Sequence, residues 1–499
     1  MEARDEAEGQ RKVADEERIR AEDALAKANK LAVQLAAQVK IANQAKQEAE
    51  SNLKIAEEQR RIAETERGKA EVATQGYKEQ YDRAEAALEE ANRLLYLSVA
   101  QSMEAKAAGM EEGELAGLLS MQGYLFHTKY GGKRYDSYVF SGLYHALAQL
   151  SGTNYNALFV PGNLRNRMYS LVVSTSGNTF YTTGNDGRIF SGDFLNHKMG
   201  GQLGANPFPN RVLALSKDEK YLVNGGDSSF VQVYSLDNSR KPLKVEGHKG
   251  SINDIKFLPD GSGFISAASD GTLRVTNQVT GEGRQLISLP FSLKSIDISG
   301  DGNWLAGVAT SGELVVVDLK AKTYETVLNE APNRLLSVAY HPTRNLIAYG
   351  VEVVDAKGLP VRGVVKLFDN DKKQVTKELS GHKSGVSAIR FSPDGLLLAS
   401  AGLDRKLQMW VVDQEEDLPI LMDNNNGNIW DIGFAKDSNY LLASCNNGEI
   451  RIWPTDPKML AEQVCPKLTR NMTPEEWEIY VANGIGYETT CKSLLINDF

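Results

Sequence analysis

A mainly β fold preceded by a long charged helix is predicted by three observations on this 499-residue chain. A short corner motif recurs seven times at near-constant spacing from residue 173 to residue 438. All 15 prolines lie at or after Pro161. A seven-residue apolar period runs through the first hundred residues. Together they predict a seven-bladed β-propeller preceded by a long α-helical coiled coil and a short helical pair.

The helical segment comes first in the chain. Residues 1–100 carry 17 Lys/Arg, 21 Asp/Glu and three Gly, an Ala-rich composition that favours helix. Steps of seven meet Ala7, Ala14, Ala21, Ala28, Leu35, Ala42, Ala49, Ala56, Ala63, Ala70, Tyr77, Ala84 and Ala91. A strict heptad keeps one stripe facing a partner through left-handed supercoiling. The pattern therefore predicts a coiled coil over 1–100, a rod of roughly 140 Å at the helical rise per residue, and a homo-oligomer assembled through it. A solvated single helix with i,i+4 ion pairs such as Glu16 with Arg20 is the alternative. Over 101–152, Leu115, Leu118, Leu119, Met121 and Leu125 form one apolar stripe, and Val139, Leu143, Ala146, Leu147 and Leu150 another. "KYGGKR" lies between them, so a helical hairpin with a Gly-Gly turn is expected. His127 and His145 read as structural.

The corner begins at Val173, Leu215, Phe257, Ile298, Tyr340, Phe391 and Phe434, with intervals of 42, 42, 41, 42, 51 and 43 residues. Its fullest copy is "FSPDGLLLASAGLDRKLQMW", from Phe391 to Trp410. A period of about 40–45 residues with several short strands per unit is that of a propeller blade. The ring is expected over 153–456. Tyr155–Pro161 is the candidate strand for closing the last blade, because "PTDPKML" after Trp453 cannot supply an ordinary outer strand. The long fifth interval places an insertion at Val351–Gly363, between the second and third strands of blade five.

"GHKGSI" and "GHKSGV" precede the third and sixth corners, and "QMW" and "RIW" end strands in the sixth and seventh units. These residues resemble the WD-repeat family over about residues 155–455. The resemblance implies a structural His-Ser-Asp-Trp hydrogen-bond set within a blade. Blade six matches it with His382, Ser400, Asp404 and Trp410. Blade three matches with His248, Ser266 and Asp270, and Thr276 replaces the Trp. Blade seven keeps Ser444 and Trp453, with Asn447 in place of the Asp. A buried carboxylate needs donors, which His, Ser and an indole N–H supply. The set looks like a catalytic triad, but its recurrence from blade to blade argues for a structural role.

A helical tail is expected over 457–499, with Thr473 as N-cap, Pro474 at N1 and Glu476 at N3. The tail and the order of segments resemble the C-terminal part of bacterial STAND-type or caspase-like WD-repeat proteins, whose effector part does not appear in this chain. Cys465 and Cys491 flank the tail helix; buried thiols are preferred over a disulfide.

The net charge of −9 argues against non-specific nucleic-acid binding. Three cysteines without ligand spacing give neither a metal site nor a disulfide framework, and a reducing, cytoplasmic setting is the default. No apolar run is long enough for a membrane span, and the N-terminus lacks a secretory h-region. No phosphate-binding loop, nucleophile elbow or H-E-x-x-H motif occurs. No catalytic, cofactor or metal residue is assigned. The expected function is a non-enzymatic scaffold whose propeller binds a protein or peptide partner. A sensor subunit of a signalling or defence assembly with a separate effector, and a channel-site enzyme or small-molecule binder, are the alternatives.

Overall fold

The computed structural model describes residues 2–62, 67–161, 167–414, 418–423, 425–482, 484–492 and 494. The chain divides into two compact units, one formed by Met1–Gly152 with Asp456–Phe499, the other by Thr153–Thr455.

In the helical unit, α1 (Glu2–Ile62) and α2 (Arg67–Ala108) replace the single rod expected over 1–100. They run antiparallel. The Ser98 hydroxyl donates to the Ala28 carbonyl at 3.3 Å, and Lys46 lies 3.7 Å from Glu85. The heptad residues Leu35, Ala42, Ala49, Ala84 and Ala91 are all buried between elements of one chain. These five residues of the stripe that predicted a homo-oligomer are thus covered in cis. Alanines allow the close approach, and their small area makes each heptad contribute little.

Two further helices, α3 (Gly113–Lys129) and α4 (Ser137–Ser151), form the expected hairpin, and Asp136 caps α4 by accepting from the N–H groups of Tyr138 and Val139. The C-terminal segment adds α5 (Pro457–Val464) and α6 (Pro474–Tyr480). The first turn of α6 is a capping box between Thr473 and Glu476. This segment packs on the N-terminal helices as part of the same unit. Phe126 meets Trp477 edge to face at 6.0 Å, Thr490 donates to Gln122 at 2.8 Å, and Thr469 donates to Glu114. The preference for buried thiols is overturned: Cys465 and Cys491 are joined by a disulfide. The return of the tail after α6 brings their Cα atoms to 5.8 Å, within bonding reach.

The second unit is a ring of seven four-stranded antiparallel sheets. Six blades are built from consecutive strands. In the seventh, the strap strand Ala157–Phe159 is the outer strand, paired with Glu449–Pro454 in the register Ala157 to Arg451. Each inner strand is buried or half-buried over most of its length, and the apolar core is divided into clusters that span adjacent blades. The long fifth interval is a projecting hairpin of Leu346–Val354 and Pro360–Asp369, with Leu359 and Val361 exposed near its turn. Arg334 holds it by pairing with Glu352 at 3.1 Å and donating to the Gly358 carbonyl.

Candidate functional site: the mouth of the ring

In six of the seven blades the register between the first and second strands slips by one residue at the start of the inner strand. A β-bulge leaves its extra residue out of the ladder and re-aims the side chain. The residues skipped are Tyr169, Arg211, Asn253, Leu336, Ser387 and Trp430. Lys294 takes the same position in blade four, just ahead of the strand Ser295–Ile298. The residues just before these seven are buried, whereas the seven are half-buried or exposed. They therefore form a partly exposed ring at the end of the channel where the inner strands begin.

Their contacts run from blade to blade. The Tyr169 ring meets Trp430 edge to face at 5.3 Å, and the Arg211 guanidinium lies 4.5 Å from the Tyr169 ring centroid. Arg211 is anchored by Asp227 at 2.9 Å. Asn253 donates to the Leu293 carbonyl and Ser387 to the Ile429 carbonyl. The mouth thus offers an aromatic wall on blades seven and one, cations on blades two and four, and an apolar side at Leu336.

Below the mouth the polar groups of the channel are committed. Asp431 accepts from Ser170 at 2.9 Å and from the Leu171 N–H at 3.1 Å, and pairs with Arg390 at 2.9 Å. Asp254 accepts from Ser295 and the Ile296 N–H, and Asp297 from the Tyr340 N–H. These bonds join one blade to the next. Burial works against the Arg390 charge, but Asp431, Asp297 and Asp254 outweigh it and hold Arg390 above its ordinary range.

The structure brings the four blade-six residues together. Trp410 Nε1 donates to Ser400 Oγ at 3.2 Å, Ser400 Oγ lies 2.9 Å from His382 Nε2, and His382 Nδ1 lies 3.2 Å from Asp404 Oδ1. The network is consistent in one direction: indole to hydroxyl, hydroxyl to imidazole, imidazole to carboxylate. Asp404 also accepts from the N–H groups of Lys383 and Lys406. Burial pushes the Asp404 carboxyl up, but the bond from His382 and these N–H groups prevail and hold it below the usual range. Ser400 has no exposed surface, and its oxygen is already shared between Trp410 and His382. A nucleophile needs an approach path, and this hydroxyl has none.

Blade three repeats the chain with a substitution. His248 Nε2 lies 2.8 Å from Ser266, and its Nδ1 lies 2.9 Å from Thr272 and 3.4 Å from Asp270. Asp270 is pushed down to about 2, since bonds from the Lys249 N–H and Thr272 overcome its burial. Blade seven departs further: Ser444 points to the Asp431 carbonyl and Asn447 donates to Glu449. Among the described residues no cluster of His, Cys, Asp or Glu is arranged to hold a metal.

The mouth ring has only a faint trace in the sequence. Six of the seven inner strands read apolar–variable–small or acidic–apolar, as in "MYSL", "INDI" and "IWDI", and blade two reads "NRVL". The bulge that exposes the variable position is visible only in the register.

The fold and its recurring corners define a seven-bladed β-propeller with WD40 repeats. The model of the WD domain, G-beta repeat family matches residues 240–277, 373–411 and 419–454. These segments include blade six with its full His-Ser-Asp-Trp set, blade three with its partial copy, and blade seven. Among known proteins, the chain is 27% identical over 197 residues to the serine-threonine kinase receptor-associated protein of Gallus gallus, 39% of this chain and 53% of that one. It is 24% identical over 226 residues to apoptotic protease-activating factor 1 of Rattus norvegicus, 45% of this chain and 17% of that one. It is 21% identical over 238 residues to transcription initiation factor TFIID subunit 5 of Caenorhabditis elegans, 48% of this chain and 35% of that one. The chain thus spans about half the length of the first of these relatives and less of the others. No described helix is long and apolar enough to cross a membrane.

Proposed function

We propose that this protein is a non-enzymatic interaction scaffold whose propeller binds a protein or peptide partner across the mouth of the ring. The carrying observation is the ring of bulged side chains. Aromatic, cationic and apolar groups there are presented outward by a frame whose own polar groups are already paired. Aromatic and Arg side chains are the types that dominate binding energy at protein interfaces. The committed channel carboxylates and the enclosed Ser400 favour binding over catalysis. The names of the relatives, one receptor-associated and one a subunit of a larger factor, agree with a role in assemblies.

In this reading the His-Ser-Asp-Trp set of blade six and its partial copy in blade three are structural. The α1–α2 pair serves as a spacing arm, since Leu35, Ala42, Ala49, Ala84 and Ala91 of its heptad stripe are covered within the chain. No cofactor, metal or nucleic acid is required. A cytoplasmic setting is kept in this reading, with the Cys465–Cys491 disulfide as the feature that counts against it. The similarity to apoptotic protease-activating factor 1 favours a second reading, a sensor subunit whose effector is a separate chain.

The test is affinity capture with the full chain, comparing wild type, a Tyr169→Ala/Trp430→Ala variant and a Trp304→Ala control. Trp304 is exposed at the start of a second strand, away from the bulges. Partners captured by wild type should be lost with the mouth variant and kept with the control. Equal capture by all three would remove the mouth from the reading.

A further inference from the structure

Glu104 lies on α2 with no exposed surface. One carboxyl oxygen, Oε2, accepts from the Ser120 hydroxyl of α3 at 2.7 Å; the other, Oε1, has no hydrogen-bond partner. Two glycines make the space it occupies. A methyl group at Gly123 of α3 would stand 2.9 Å from Oε1, and one at Gly142 of α4 would stand 1.9 Å from Oε2. The carboxyl is therefore clamped at the junction of α2, α3 and α4, in space that side chains at Gly123 and Gly142 would fill.

The groups around it offer an anion almost nothing. From α3 comes Ser120 alone, and from α4 the bare backbone at Gly142. Asp136, at the start of α4, is the one charged group that acts on it, and it repels. Lys106, on the same helix, is engaged with the Tyr480 carbonyl, and His127 of α3 with the Lys133 carbonyl. An ionised carboxylate buried with one donor is strongly disfavoured, so the group gives up its charge instead.

We propose that Glu104 is held as a neutral carboxylic acid and works as a pH-sensitive lock on the helical unit. Its ionisation loosens α3 and, with it, the C-terminal segment that grips α3. The coupling is carried by α3 itself. Gln122, two residues beyond Ser120, accepts from Thr490, and Gly117 packs against Leu468 and Val464. Admitting water to Glu104 requires α3 to move away from α2, and the partners on its other side must follow.

The direction follows from linkage. Burial, the largest influence, raises the folded-state pKa of Glu104 well above the ordinary value, and the Ser120 bond only partly opposes it. A raised folded pKa means that the stabilisation is complete below the unfolded pKa. It is lost as pH rises through the folded value. The lock is tight in acid and loosens toward alkaline pH.

The experiment is hydrogen exchange of the full chain, read on peptides covering residues 468–491 and corrected for intrinsic rate, between about pH 5 and pH 9. In wild type, protection of this segment should fall as pH rises. In Glu104→Gln, which keeps the shape and cannot ionise, protection should be flat across the range and higher than wild type at the alkaline end. A wild-type profile that is flat, or a variant that follows the wild-type slope, overturns the proposal. A second measurement needs no variant fold: the ¹³C shift of the Glu104 carboxyl in wild type, followed against pH. A midpoint in the ordinary carboxylate range overturns the lock; a midpoint well above it supports it.

Discussion

Arg451 and Glu449 form an ion pair in which neither side chain has any exposed surface, two residues apart on the strand that receives the strap. The guanidinium also donates to the Thr153 carbonyl and the Asn156 side chain at 2.7 Å, and to Asn154 at 3.0 Å. All three acceptors lie at the start of the propeller unit, just before or at the strap strand. Closure of the ring therefore rests on one buried cation as well as on three rungs of backbone ladder.

Replacing Arg451 by Leu should open this closure. It leaves the Glu449 carboxylate buried without its partner, a loss of about 3–5 kcal/mol in comparable buried pairs. The double variant Arg451→Leu/Glu449→Leu should lose less, because no unpaired charge remains. Urea unfolding of both variants beside wild type checks this. A double variant less stable than the single one would mean that the pair itself, and not the stranded charge, carries the closure.

Asp404 and Asp186 occupy equivalent corners of blades six and one, and only the first sits in a full network. Asp186 accepts from the N–H and the guanidinium of its near neighbour Arg188. Asp404→Ala strands His382 and two backbone N–H groups in a buried site, at about 1–3 kcal/mol. Asp186→Ala breaks a local, partly exposed pair, and its loss should stay within about 1 kcal/mol. Thermal melts of the two variants decide the order. A larger loss for Asp186 would mean that the blade-six network is not the stronger anchor.

The blade period was legible because each corner is made by residues with strong local preferences. In "SPDG" at Ser392–Gly395 the serine hydroxyl donates to Asp394, and Gly395 adopts a positive φ of 75°. The closing strand was legible for the same reason in reverse, since a blade with too few strands must borrow one. The mouth was not legible, because a bulge changes register without changing composition. Nor was the pairing of α1 with α2. "AETE" at residues 63–66, outside the described residues, holds no Gly or Pro, so nothing in composition separates one rod from two helices. Of the described heptad residues, Leu35, Ala42, Ala49, Ala84 and Ala91 are buried and Ala21, Ala28 and Tyr77 half-buried; what covers them depends on contacts far apart in the chain.

The covered stripe has a direct consequence for mass. With Leu35, Ala42 and Ala49 buried within one chain, the described part of the heptad stripe on α1 is not open to a second copy, and what α1 still exposes, Leu31, Val33, Ile41 and Ile55, lies off that stripe. Light scattering should report one chain, 54.8 kDa. A mass of two or more chains that falls to one on deleting residues 2–108 would show that the helices pair between molecules instead.

Glu219 supplies an acid that blade one lacks. In blades two, four and six the corner serine donates to an aspartate two residues on, as Ser216 does to Asp218, Ser299 to Asp301 and Ser392 to Asp394. Blade one has Ser176 at that place, and the Glu219 carboxylate of the next blade fills the gap. It accepts from the hydroxyls of Ser174, Thr175 and Ser176 and from the N–H groups of Thr175 and Ser176. Burial pushes this carboxyl up, but the bonds from Ser176, Ser174 and Thr175 win and hold it below its ordinary range. A lowered folded pKa contributes stability that is present above the unfolded pKa and lost as pH falls through the folded one. Glu219→Gln should therefore destabilise the propeller at neutral pH and cost progressively less as the solution is acidified. Part of the site is open to water, so the effect at neutral pH should stay near about 1 kcal/mol. Melts of wild type and variant across the acid range check the convergence. A gap between the two that stays constant down to the acid limit would mean that the five donors hold the glutamate by shape rather than by charge.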